Sequence, residues 1–157
     1  MIHQSIAPNY TKQESTLTVL EALEEFYGRN PNSIWHTGDG LKDNFFRSHD
    51  TIHVVFGCDT VLHDEALADM WTIFGSDLGF CKYLSYLAPL REDLESIFDG
   101  MDKTALFKDG VKAIPDMVRV IFRARDMHGN WPWVDHEEYL DRPLWQVRRE
   151  LNVQVVN

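Results

Sequence analysis

Apolar residues recur along this chain at the three-to-four spacing of amphipathic helices, and no long alternating stretch argues for strands. Thr11-Lys12-Gln13-Glu14 has the form of a capping box. It predicts a first helix over residues 10–28, with Leu17, Leu20, Leu23 or Glu24, and Tyr27 at helical spacing and Gly28 as its stop. Arg29 to Lys42 contains Asn-Pro and Gly-Asp-Gly and reads as a loop. A second helix is expected from about Asn44 to Phe56, closed by Gly57. A third opens near Thr60, carries Ala66, Leu67, Met70, Trp71 and Phe74, and breaks at Gly75-Ser76. Residues 44–75 thus read as a helix-turn-helix.

The pattern continues from Asp77 to about Phe98 through Phe80, Leu84, Leu87, Leu94 and Phe98, with a kink or break expected at Pro89. Lys103 to Met127 is helical, with Gly110 and Pro115 expected to divide it. There Met117, Val118, Ile121 and Phe122 suggest a buried face. Asp135 with Glu138 forms a second candidate capping box, and Pro143 suits the first turn of a last helix bearing Leu144, Val147 and Leu151. Residues 136–151 therefore read as C-terminal helices. The expectation is an all-α fold, one domain over residues 1–157 and about six to eight helices, without internal repeats.

Composition narrows the partners. The chain has 157 residues, enough for one domain with a real core. Fifteen basic against 25 acidic residues give a net charge of −10, which argues against binding nucleic acid by phosphate neutralisation. Cys58 and Cys81 form no CxxC pair, which suggests a reduced, cytoplasmic setting. The first ten residues resemble neither a signal nor a transit peptide, and no apolar run reaches the roughly 18 to 20 residues that span a bilayer. Any membrane contact is expected to be peripheral, on the inner face of the cytoplasmic membrane.

The candidate chemistry sits at His49-Asp50-Thr51-Ile52-His53, followed by Glu65: two imidazoles and two carboxylates in seventeen residues. Positions four apart on a helix differ by about 40° of rotation and roughly 6 Å of rise, so His49 and His53 share a face. Asp50 can share it or hold the second nitrogen of a ligating histidine. Glu65 falls in the first turn of the next helix, where it can point back across a hairpin. Two nitrogens and one or two carboxylate oxygens suit zinc with an open position. They also suit the two-histidine, one-carboxylate set of Fe(II) enzymes, and spacing does not choose between them. The same spacing is compatible with an N-cap region at Ser48-His49-Asp50, a satisfied half-buried His53, and a Glu65 that serves only the helix dipole.

The string His49-Asp50-x-x-His53-x11-Glu65 resembles the signature of the ubiquinone (coenzyme Q) biosynthesis protein four family. Val54-Val55-Phe56-Gly57 is similar to that family's apolar run and glycine after the second histidine. The segment Tyr139 to Leu151, with Pro143-Leu144 and then Val147-Arg148-Arg149-Glu150-Leu151, is similar to its closing segment. The likeness covers roughly residues 15–151 and suggests a short, bacterial-type member. Asp64 stands where the family usually has glycine. The resemblance implies an all-helical, peripheral membrane protein. It implies His49, Asp50, His53 and Glu65 as ligands of a metal, usually zinc, with Fe(II) or another divalent ion as the alternative.

The implied activity is a lyase of the 4-hydroxy-3-methoxy-5-polyprenylbenzoate decarboxylase type, in which a hydroxyl replaces the carboxylate at ring carbon 1. That replacement is an oxidation. Zinc has no redox chemistry, so with zinc the oxidant is molecular oxygen reacting with the substrate, and a redox-active metal is the other arrangement. The implied partners are a prenylated aromatic quinone precursor or another prenyl lipid, and other quinone-biosynthesis proteins.

A prenyl tail needs an apolar groove, for which Leu84, Leu87, Val118, Ile121 and Phe122 are candidates; ordinary core is the stronger expectation for them. Trp131-Pro132-Trp133 is expected as a packed hydrophobic loop rather than a membrane-facing edge. Arg148 and Arg149 suit the last turn of a helix. Cys58 reads as a small turn residue, His36 as solvated and His128 as a helix-end group. Two other functions compete with the decarboxylase. One is a non-catalytic prenyl-lipid-binding scaffold. The other is a His-Asp type metal phosphohydrolase, for which His36 and Asp99 or Asp102 offer further ligands. An apolar helical face can also pair symmetrically into a homodimer.

Overall fold

The computed structural model describes residues 7–31, 41–98 and 103–156; His36, Asp99 and Asp102 lie outside them, as do the side chains of Leu94 and Phe98. Within these ranges the chain is all-α, as expected. It has six helices: α1 (Val19–Arg29), α2 (Leu41–Phe56), α3 (Leu62–Phe74), α4 (Gly79–Phe98), α5 (Lys103–Arg125) and α6 (Leu144–Leu151). Short 3-10 turns cover Asn9–Thr11 and Glu137–Tyr139. The described residues form only isolated bridges, Thr18 with Pro143 and Ser76 with Trp131.

The first helix starts later than its first capping signal. Thr18 and Glu21 form the capping box: the Glu21 N–H donates to Thr18 Oγ1 at 3.1 Å, and the Thr18 N–H donates to Glu21 Oε2 at 2.8 Å. The Thr11 hydroxyl instead donates to the Pro8 carbonyl. The intervening segment is taken by the C-terminal helix, whose Leu144 and Trp145 N–H groups donate to the carbonyls of Leu17 and Ser15. Two T-x-x-E signals compete here, and tertiary pairing leaves only the second free to start a helix. At the other end α1 runs through Gly28, and Asn30 is the cap.

Two expected breaks do not occur. Helix α4 continues through Pro89, and α5 continues through Gly110 and Pro115. Pro115 removes the partner of the Val111 carbonyl, but both residues are exposed, so water can serve that group. The Asp135–Glu138 capping box is also absent: His136 precedes the 3-10 turn without a side-chain cap. Helix α4 begins at Gly79 rather than Asp77 because Asp77 serves the tryptophan loop. Its carboxylate accepts from the Trp133 N–H at 2.8 Å, and its own N–H donates to the Trp131 carbonyl.

The core gathers on α2 and α3. Phe56 stacks on Trp71 with ring centroids 4.4 Å apart, among Ile52, Val54, Val55, Leu67, Leu144 and Val147. Trp131 and Trp133 are buried, as expected of a packed loop, and the Trp131 indole N–H donates to Thr51 Oγ1 at 3.0 Å. The loop thereby pins α2 beside the candidate ligands.

Arg148 departs furthest from expectation. It lies in the last turn of α6, as expected, but is fully buried. Its guanidinium donates to the carbonyls of Tyr10 (2.6 Å), Val54 (2.8 Å), Val55 (2.7 Å), Gln13 (3.3 Å) and Lys12. Burial pulls its pKa down to about 10, so it remains charged near neutrality. One side chain thus ties α6, the end of α2 and the N-terminal segment together.

Most of the candidate groove residues are not ordinary core, although Leu87 packs partly buried against it. Leu84, Val118 and Phe122 are 48%, 45% and 60% exposed, while Leu87 and Ile121 are half-buried. Among the described residues no helix is long and apolar enough to cross a membrane.

Candidate metal centre

Helix α2 carries the two histidines on one face, and Gly57 ends it in the left-handed conformation at φ +74°. The Cys58 N–H donates back to the His53 carbonyl at 2.9 Å, which closes the helix and turns the chain. Helix α3 then returns antiparallel to α2, with Glu65 opposite His53 and Asp69 opposite His49.

His49, His53 and Glu65 converge: each can offer one ligand atom, and these atoms lie within 4.8 Å of one another. His53 Nε2 is 3.5 Å from Glu65 Oε2. That is at the outer edge of hydrogen-bond distance. It is close to the edge of a tetrahedron around an ion with bonds of about 2.0–2.1 Å, roughly 3.4 Å.

The tautomer of His53 strengthens this fit. Its Nδ1 lies 3.2 Å from the Cys58 carbonyl oxygen. A carbonyl only accepts, so Nδ1 carries the hydrogen, and whenever the ring is neutral its Nε2 lone pair faces Glu65. Two lone pairs facing each other at this distance call for a proton or a cation between them. A histidine whose far nitrogen donates to a carbonyl is a common arrangement around bound metals. His53 is 3% exposed and Glu65 is 40% exposed, so the site has a dry floor and an open side.

Charge follows the same geometry. Burial works to raise the Glu65 pKa, but His53 and then His49 outweigh it and hold the carboxyl below its usual range. Burial works to lower the His49 pKa, but Asp69, then Glu65 and Asp50, outweigh it and hold the imidazole above its usual range. A proton and a metal therefore compete for this nitrogen cluster.

Asp50, the fourth expected ligand, is not among the converging groups. It is buried beside the Tyr27 hydroxyl, which donates to it; burial and this carboxylate push the Tyr27 pKa up. Asp50 thus fastens α1 to α2. His63, a further ligand-capable side chain, bridges Asp64 (2.9 Å) and Asp116 of α5 (3.2 Å). The Cys58 thiol is buried, and it is the carbonyl of this residue that meets the site. His128 caps α6 rather than its own helix: its N–H donates to the Leu151 carbonyl at 3.0 Å. Asp69 and Tyr83 were missed in the sequence. The available signal was the i, i+4 spacing of Glu65 and Asp69, which mirrors His49 and His53.

Gly57 tests this local logic. An added Cβ would meet Val155 Cγ1 at 2.9 Å and the Thr11 carbonyl at 3.2 Å, in a backbone conformation that L-residues avoid. Gly57→Ala is expected to cost about 1–3 kcal/mol of stability. It is also expected to weaken metal binding, because the Cys58 carbonyl moves off His53. Thermal unfolding and a metal titration on the same sample check both effects; an unshifted Tm would reject the packing argument.

Fold and site together define an all-α protein with a candidate metal centre between two antiparallel helices. Comparison with family models, with curated proteins and with solved structures gives no match.

Proposed function

We propose that this protein is a metal-dependent enzyme of quinone synthesis, acting in the oxidative decarboxylation of a prenylated 4-hydroxybenzoate-derived acid. The carrying observation is the convergence of His49, His53 and Glu65, with His53 turned toward the carboxylate by the Cys58 carbonyl. The identity of the substrate rests on the likeness of the His49–Glu65 string and the Tyr139–Leu151 segment to the ubiquinone biosynthesis protein four family.

His49, His53 and Glu65 would hold the ion. When bound, a divalent cation there supplies a Lewis acid that offsets negative charge on the ring carboxylate or phenolate. Around it, Phe45 lies nearly parallel to the His49 ring at 6.1 Å, and Tyr83, Tyr86 and Trp133 pack against Phe45. These rings limit water on that side of the site. The half-exposed Glu65 marks the side from which an acid can approach. The exposed apolar residues of α4 and α5 are suited to a prenyl tail or a lipid surface.

A second reading, a prenyl-lipid-binding scaffold with a structural ion, draws on those same exposed apolar residues. The His-Asp phosphohydrolase reading gains nothing from Asp50, which serves Tyr27.

The test is elemental analysis of protein purified without chelator, paired with mass spectrometry of co-purifying lipids and turnover of the prenylated acid. Stoichiometric zinc or iron, a prenylated aromatic acid and carbon dioxide release are expected. Bound prenyl lipid without turnover, with a His53→Ala variant that still complements, would favour the scaffold. Metal-free protein that takes up no added zinc or iron would sink both readings.

A further inference from the structure

The two helices face each other in two rungs. His53 lies 3.5 Å from Glu65, and one turn away His49 Nε2 lies 3.5 Å from Asp69 Oδ1. His53 has a fixed acceptor in the Cys58 carbonyl, whereas the polar group beside the His49 Nε2 edge is Asp69. Asp69 is itself held: the Tyr83 hydroxyl, from α4, donates to the same Oδ1 at 2.6 Å. Tyr83 is buried and packs near Phe45, whose ring covers His49. His49 is thus bounded on its face by Phe45 and at Nε2 by a carboxylate anchored from a third helix.

We propose that Asp69, fixed by the Tyr83 hydroxyl, is a positioning residue of the cation site that holds His49 at Nε2 and supplies its second negative charge. The inference rests on the metal reading above. Asp69 stands outside the group of ligand atoms within 4.8 Å; with Asp69 at Nε2, His49 would offer its Nδ1 to the ion and Asp69 would act through the ring. With both imidazoles neutral once an ion is bound, Glu65 and Asp69 would bring two negative charges to balance a divalent cation. Carboxylates that orient ligating histidines in this way raise ligand basicity and tighten binding.

Titration with Co2+ alone, followed by visible absorption, tests this on the whole chain. Asp69→Asn is expected to weaken Co2+ binding by about 10- to 100-fold while the band positions stay those of the wild type, because the ligand set is kept. Tyr83→Phe is expected to weaken it in the same direction by a smaller factor, with unchanged helical circular dichroism. Wild-type affinity in both variants would overturn the proposal and leave the metal reading standing. Should Asp69→Asn fail to fold, Tyr83→Phe decides alone. A shifted spectrum in Asp69→Asn would overturn it in favour of direct ligation, and a wild-type chain that binds no Co2+ would remove both this proposal and its basis.

Discussion

Replacing Arg148 with methionine is expected to destabilise the fold by about 3–5 kcal/mol, a large part of the roughly 5–15 kcal/mol that holds a typical domain together. Methionine matches much of the arginine's length and can fill its channel, so the loss is not mainly a cavity. The cost comes from the partners left behind. The carbonyls of Tyr10, Lys12, Gln13, Val54 and Val55 are backbone groups and cannot be mutated away with the arginine. Each buried acceptor left without a donor costs about 1–3 kcal/mol, less what relaxation and entering water recover. Swapping a buried ion pair for apolar residues can be neutral because both charges leave together; here only one side leaves. Urea unfolding followed by circular dichroism measures the effect. A midpoint within error of the wild type would show that the guanidinium is dispensable. Val54 and Val55 follow His53 directly, so the variant should also loosen the candidate site wherever it remains folded.

The sequence made the local features legible. The boundary of α2 at Phe56 and Gly57, the end of α3 at Phe74 and the shared face of His49 and His53 all follow from periodicity and a helix-stopping glycine. The misses share a cause, which is partners distant in the chain. Thr11-x-x-Glu14 is as good a capping signal as Thr18-x-x-Glu21, and only the pairing of the intervening segment with α6 separates them. Arg148 in an amphipathic last turn looks like a dipole partner until the N-terminal segment wraps around it. Val118 and Phe122 have helical spacing, yet they lie on a face of α5 that the described residues do not cover. Asp50 is adjacent to His49 in sequence, but the 100° turn between neighbouring helical residues directs it to Tyr27. Asp69 is twenty positions from His49 and reaches it only because α2 and α3 are antiparallel. Spacing thus identified both histidines and Glu65, while rejecting Asp50 and finding Asp69 required knowing which helix lay opposite.

The largest functional effect is expected from His53→Ala, with a loss of at least about 100-fold in Zn2+ affinity, or roughly 3 kcal/mol. His53 supplies the nitrogen with the best-defined direction, since the Cys58 carbonyl selects its tautomer and Phe26 packs its ring at 5.2 Å. Truncation removes that ligand and leaves Glu65 facing a small hollow, with His49 as the remaining imidazole of the group. Competition against a chelator of known affinity gives the binding constant directly. Thermal unfolding separates loss of the ligand from loss of packing. A ligand that binds only the folded chain stabilises it by about 4 kcal/mol at a thousandfold excess over its Kd, so saturating zinc should raise the wild-type Tm by several degrees. The variant should start from a lower Tm, because a buried ring is gone, and should gain little from added zinc. A variant that starts lower yet keeps the full zinc-induced rise would show that His53 is a core residue and that the ion, if it binds, sits elsewhere. Glu65→Gln makes the complementary cut. It keeps the size of the side chain and removes the charge, so it should lose affinity with little change in the metal-free Tm.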